Sequence, residues 1–194
     1  MLRLKLPTDP RWVNIAEKNL KEILIDHAFC EQKAASYAIS LIVQYPEYSD
    51  LVDAMADLAR EEMEHFQRVH QIIKDKGWVL GRERKDPYVH DLQQFFPKGT
   101  DRKKALIHKL LIAAMIEARS CERFCVLAEN INDKELSKFY YELMKSEATH
   151  YTMFLKFARK YGRELMDVDK LWDEFLEYEA EVMVNYGKKE MVHG

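Results

Sequence analysis

Two stretches of this chain place a glutamate and a histidine three residues apart in the middle of an otherwise apolar helical stripe. The first stripe runs Leu51, Met55, Leu58, Glu62, His65, Val69, Ile72. The second runs Leu136, Tyr140, Leu143, Glu147, His150, Phe154, Phe157, Tyr161. Steps alternating between four and three trace one face of an α-helix, so a carboxylate and an imidazole sit in each buried seam. Such groups are costly to bury without partners, and a metal ion is the commonest partner that uses both. A Glu-x-x-His pair alone is weak evidence, because chance supplies about one in a chain with this composition. A third pair, Glu190/His193, lies in the last few residues outside any apolar frame and is read as chance. What marks the first two is their common register.

The chain has 194 residues, 47% of them hydrophobic, with only 6 Gly and 5 Pro. Glycine and proline poverty over long stretches predicts an all-α protein, and the length predicts a single domain spanning 1–194. No run of 18 apolar residues exists, and the first residues lack the apolar segment of a signal peptide, so a cytoplasmic, non-membrane protein is expected. Cys30, Cys121 and Cys125 form no disulfide pattern and fit a reducing compartment. Cys121 and Cys125 share a helix face, as a two-thiol metal site or as two small buried side chains.

Net charge is −3, which makes the whole chain no obvious nucleic-acid binder. Residues 164–190 carry −6, leaving +3 on the rest. The stretch 82–104 is itself +3, through Arg82, Arg84, Lys85, Lys98, Arg102, Lys103 and Lys104 against four acids. It reads either as a footprint for phosphates or as a solvated connector.

Proline, glycine and capping residues divide the chain into a first helix over about 13–45, ending before Pro46, and a second over about 48–76, closed by Gly77. A long connector follows, with a short helix near Val89–Phe95 announced by Asp86-Pro87. A third helix spans about 101–130, opened by Thr100 or Asp101; a fourth spans about 133–161, ended by Gly162. A fifth, about 167–187, carries Leu171, Phe175, Tyr178, Val182 and Tyr186 on one face. Two hairpins joined by a long crossover between helices 2 and 3 match a ferritin-like four-helix bundle with a core at about 13–161 and an additional C-terminal helix.

The first and third helices each add a lone glutamate to the polar core. Glu31 lies in the frame Leu20, Leu24, His27, Glu31, Ala34, Ala38, Leu41, Tyr45; Glu117 lies in Leu106, Leu110, Ala113, Glu117, Ser120, Phe124, Leu127. Glu31 precedes Glu62 by 31 residues and Glu117 precedes Glu147 by 30, an internal repeat of the polar core. Four carboxylates and two imidazoles are the ligand set of a carboxylate-bridged dinuclear centre, and such donors suit iron or manganese. In this assignment Glu62 and Glu147 bridge, His65 and His150 bind one metal each, and Glu31 and Glu117 are outer ligands. Glu122 competes with Glu117 but lies off the frame, beside Arg119. Glu61 and Glu64 point away from the seam. His27, one turn before Glu31, is either a donor to that ligand or a packed core residue. The alanines beside Glu31 and Glu117 either leave room for a substrate or let helices approach closely.

Four segments carry a family resemblance. Leu24-Ile-Asp-His-Ala-Phe-Cys-Glu-Gln-Lys-Ala-Ala35, Arg60-Glu-Glu-Met-Glu-His-Phe66, Ile116-Glu-Ala-Arg-Ser-Cys-Glu-Arg-Phe124 and Ser146-Glu-Ala-Thr-His-Tyr151 resemble the MiaE-type tRNA hydroxylases, non-haem di-iron enzymes of the ferritin-like class. The resemblance implies oxygen-dependent hydroxylation of the isopentenyl group of a 2-methylthio-isopentenyl-adenosine beside the tRNA anticodon. It places two iron ions on Glu31, Glu62, His65, Glu117, Glu147 and His150. Dioxygen and an external electron-donor reductase are then required, because the chain has no flavin motif and no iron–sulfur cysteine set. The other readings are a rubrerythrin-like peroxidase or ferroxidase, for which the usual Cys-x-x-Cys pairs are lacking, and an iron-storage protein.

Overall fold

The computed structural model describes residues 2–84, 87–186 and 191–193. Among these residues the chain is helical, with no strand. Lys85, Asp86 and Glu190, on which parts of the sequence reading fall, lie outside the described residues. Two compact units form, one from Met1–Glu17, Asp86–Lys189 and His193–Gly194, the other from Lys18–Lys85 and Glu190–Val192.

The second of these units is a helical hairpin of α2 (Leu20–Gln44) and α3 (Ser49–Asp75). The sequence predicts one helix over 13–45, but the structure divides it into α1 (Trp12–Lys18), which belongs to the other unit as far as Glu17, and α2. The break is at Asn19 (φ −124°, ψ 36°), whose carbonyl accepts from the amides of Glu22 and Ile23. Asparagine has low helix propensity because its side chain competes for backbone partners, so a break is inexpensive here. Helix α2 stops before Pro46, as expected. Helix α3 ends in a Schellman motif: the Gly77 amide donates to the Lys74 carbonyl and that of Trp78 to Ile73, with Gly77 at φ +72°.

The other unit is built on the hairpin α5 (Arg102–Asn130) and α6 (Lys134–Gly162). Asp101 caps α5 by accepting from the Lys103 and Lys104 amides, and Asp133 caps α6 through those of Glu135 and Leu136. Helix α5 is buried on most sides, including every residue of the expected frame from Leu106 to Leu127. The connector helix α4 (Tyr88–Gln93) and α7 (Val168–Met183) complete the unit. Phe95 and Phe96 pack their rings on Phe175, at 5.0 and 4.9 Å between centroids, and Tyr178 Oη donates to the Asp91 carbonyl.

The buried face of α7 differs from the expected one: Trp172, Phe175, Leu176, Glu179 and Met183 are inside, while Leu171, Tyr178 and Val182 are half-buried. Part of the difference is Glu179, a buried partner of Arg119 and Tyr88 that a hydrophobic pattern assigns to solvent. Gly162 also has a different role from the expected cap. It is the last residue of α6, and a Cβ there would stand 2.3 Å from Val168 Cγ2. Close approach, not a left-handed backbone, requires glycine.

Candidate metal centre

Each hairpin brings together three buried side chains, two carboxylates and an imidazole, that could hold a metal ion. In the α2–α3 hairpin, Glu31, Glu62 and His65 are 4, 1 and 6% exposed. One ligand atom from each lies within 4.8 Å of the other two. His65 Nδ1 is 3.3 Å from Glu62 Oε2 and 3.8 Å from Glu31 Oε2. His27, fully buried one turn before, places Nε2 at 2.6 Å from Glu31 Oε1. His27 is thus both a packed core residue and a hydrogen-bond partner of the Glu31 carboxylate.

The electrostatics of this cluster favour separated charge. Burial alone would raise the Glu31 pKa, but hydrogen bonds from His27 and His65 hold its carboxyl below the ordinary range. Burial alone would lower that of His65, but the carboxylates of Glu31 and Glu62 push it up to about 9. Glu64 faces solvent beside Arg60, and Glu61, half-exposed, lies 3.9 Å from His65 Nε2 on the outer side of the ring.

In the α5–α6 hairpin, Glu117, Glu147 and His150 are buried, and one ligand atom from each again lies within 4.8 Å of the other two. His150 Nδ1 stands 3.8 Å from Glu117 Oε2. Glu122 is tied elsewhere: it accepts from the Thr8 amide and hydroxyl at 2.7 and 2.6 Å, and from Arg119 Nη1 at 3.1 Å. Two carboxylates and one imidazole, buried and convergent in each hairpin, form a donor set that fits iron or manganese. Among the described residues, the groups able to hold a metal contain no cysteine. Cys121 donates to the Met144 carbonyl, and burial pushes its pKa up to about 12, so it behaves as a packed thiol.

Three features escaped the sequence reading. Arg119 is fully buried and pairs with the equally buried Glu179 at 2.7 Å, while Tyr88 Oη donates to the same carboxylate. Arg123, also fully buried, stacks over the Trp12 ring at 4.2 Å. His193, read as part of a chance pair, is 3% exposed, with Nε2 at 2.9 Å from Ser120 Oγ and its ring stacked on Tyr88. Part of the connector charge is also neutralised locally: Arg84 meets Glu22 at 3.8 Å and Lys104 meets Asp101 at 3.7 Å.

The family model described as tRNA-(MS[2]IO[6]A)-hydroxylase (MiaE) matches residues 2–194. The chain belongs to the MiaE family. A family relative from Pseudomonas putida, a tRNA 2-(methylsulfanyl)-N(6)-isopentenyladenosine(37) hydroxylase, is 42% identical over 83% of this chain and 77% of its own. One of the same description from Salmonella typhimurium is 29% identical over 98% of this chain and 87% of its own. A solved structure from Synechococcus, described as protein 43 with aldehyde deformylating oxygenase activity, superposes with a TM-score of 0.88 at 33% identity. That match covers 98% of this chain and 95% of the other. The fold class is the expected ferritin-like, all-α one. No helix among the described residues is long and apolar enough to cross a membrane.

Proposed function

We propose that this chain is a di-iron monooxygenase that hydroxylates the isopentenyl group of a 2-methylthio-isopentenyl-adenosine in tRNA. The observation that carries the reading is the duplicated half-site. Glu31, Glu62 and His65 in one hairpin, and Glu117, Glu147 and His150 in the other, repeat the same three donors at matched spacing inside a MiaE family chain. In this reading residues 1–194 act as one ferritin-like domain, and the two half-sites jointly hold two iron ions. Iron bound by these residues would supply the oxygen chemistry, in which one atom of dioxygen enters the C–H bond and the other leaves as water, with two electrons from an external reductase and two protons from solvent.

The chain's own residues do the rest. Buried carboxylates neutralise the cations, His27 fixes Glu31 through the 2.6 Å hydrogen bond, and the apolar seams above and below the ligands exclude water. A cytoplasmic location fits a tRNA substrate. The family match and the P. putida relative favour this reading over a rubrerythrin-like peroxidase, a ferroxidase or a storage protein. The test is nucleoside analysis of tRNA from cells with and without the protein. The hydroxylated isopentenyl nucleoside is expected only in its presence; finding equal amounts in both removes the assignment.

A further inference from the structure

We infer that the exposed face of α6 is the surface on which a single-stranded RNA segment docks, an inference that rests on the tRNA hydroxylase reading. Lys134, Lys138, Tyr141 and Lys145 follow one another at i, i+4, i+7 and i+11, a single stripe on the helix, and all four are exposed. Lys156 and Lys160 extend the exposed basic face toward the C-terminus of α6. Lys134, Lys138 and Lys156 have no acidic partner among the described residues. The solvent-facing acids of α6, Glu135 and Glu142, border the stripe on one side, three or four residues from Lys138 and Lys145.

Tyr141 is 50% exposed, unusual for so large a ring, and Lys145 Nζ sits 4.2 Å from its centroid. The ring forms one wall of a groove between α5 and α6, with Lys134, Lys138, Ser137 and Met144 from its own helix and Cys125 opposite. The acid on this groove, Glu129, accepts from Cys125 Sγ at 3.5 Å.

This combination matches the chemistry of an RNA strand. Lysines one helical turn apart, about 6 Å along the axis, follow a phosphate backbone. An aromatic face between them offers a stacking platform for a base, which is how unpaired nucleotides are commonly held. An acidic protein surface would use the lysines but has no need of the ring. Glu147 and His150 face the core from the opposite side of the same helix, so the stripe is a docking surface and not part of the buried site. The basic residues of the connector are a weaker candidate, because Arg84 and Lys104 are engaged by acids of their own units.

The test uses the full iron-loaded chain and a synthetic anticodon stem–loop carrying 2-methylthio-isopentenyl-adenosine. Binding is followed by fluorescence anisotropy between about 50 and 200 mM salt, where phosphate contacts dominate the dependence. Reversing Lys134, Lys138 and Lys145 together to Glu is expected to weaken binding at least about 100-fold at low salt and to reduce the log–log salt slope by about 2. Tyr141→Ala is expected to weaken binding about tenfold and Tyr141→Phe to leave it near wild type, since the stacking face is what matters. In turnover these changes raise KM and leave kcat within about twofold, the signature of lost uniform binding. Unchanged affinity and salt slope in the triple variant, with wild type binding normally, overturn the surface and leave the hydroxylase reading standing. Slower reduction by a protein electron donor with RNA affinity unchanged reassigns the stripe to an acidic protein and also overturns it. A wild-type chain that neither binds nor hydroxylates the stem–loop removes the function, and the docking surface with it.

Discussion

His65 faces two carboxylates of its own hairpin, and burial, which alone would strip its proton, is outweighed by them, so its pKa reaches about 9. A group whose folded pKa is raised stabilises the fold below its unfolded value, about 6.5 for histidine, and loses that contribution as pH rises through the folded value. The metal-free protein is therefore expected to lose stability between roughly pH 6.5 and 9, read as a falling urea midpoint, and His65→Gln should flatten that loss. Iron binds the neutral imidazole, so loading at neutral pH should release protons into weak buffer. At the lone glutamates the expected change is in metal content. Glu117→Ala should reduce bound iron from two ions toward one or none and abolish turnover, checked by metal analysis of the folded variant. Retention of full iron and activity would show that Glu122 or another acid serves instead, although the hydrogen bonds of Glu122 to Thr8 and Arg119 argue against it. The buried glutamates and histidines of the two hairpins were legible in the sequence because a charged residue inside an apolar stripe violates a strong pattern. His27 stayed ambiguous because its role depends on a side-chain geometry that spacing does not specify.

Helix limits were readable wherever local chemistry sets them. Pro46 closes α2, Gly77 closes α3, and Asp101 and Asp133 cap α5 and α6 through their own side chains. The two departures come from tertiary context. Asn19 breaks the first helix at the junction where the chain passes from one unit to the other, which no local pattern announces. Gly162 looked like a cap and is a contact. That distinction has a sign that can be measured. Alanine in place of a helical glycine ordinarily stabilises by about 0.5–1 kcal/mol. At Gly162 the added methyl would meet Val168 Cγ2 at 2.3 Å, with Ile107 Cδ1 at 3.4 Å on another side. Gly162→Ala is therefore expected to destabilise by about 1–3 kcal/mol through overpacking, read in urea unfolding. Val168→Ala in the same chain should recover part of that loss, which a purely backbone effect would not allow.

What the sequence conceals at the largest scale is the set of contacts between residues far apart along the chain. Arg119 reaches Glu179 across 60 positions and the Leu6 carbonyl across 113, and Glu122 holds the amide and hydroxyl of Thr8. Two arginines, Arg119 and Arg123, are buried on successive turns of α5, and Glu122 and Glu179 are the carboxylates that balance them. Burial first, and then the positive charge of Arg119, lowers the Arg123 pKa to about 10, a sign of how closely the cluster is balanced. The packing of α7 and of the N-terminal lead-in on α5 depends on that balance. Hydrophobic periodicity cannot anticipate it, because it assigns both arginines and Glu179 to solvent. Glu179→Gln keeps the shape and removes one charge, leaving an excess cation in the core. The expected cost is about 3 kcal/mol, the low end for breaking a buried pair, because Glu122 still holds one nitrogen of Arg119. Replacing both partners with apolar residues of similar volume, Arg119→Met with Glu179→Leu, should cost less than the single change, since no unbalanced charge remains at that pair. Urea unfolding of the two variants side by side decides it: a double variant less stable than Glu179→Gln would mean that the hydrogen bonds to Tyr88 and Leu6, and not the charge balance, hold this part of the molecule together.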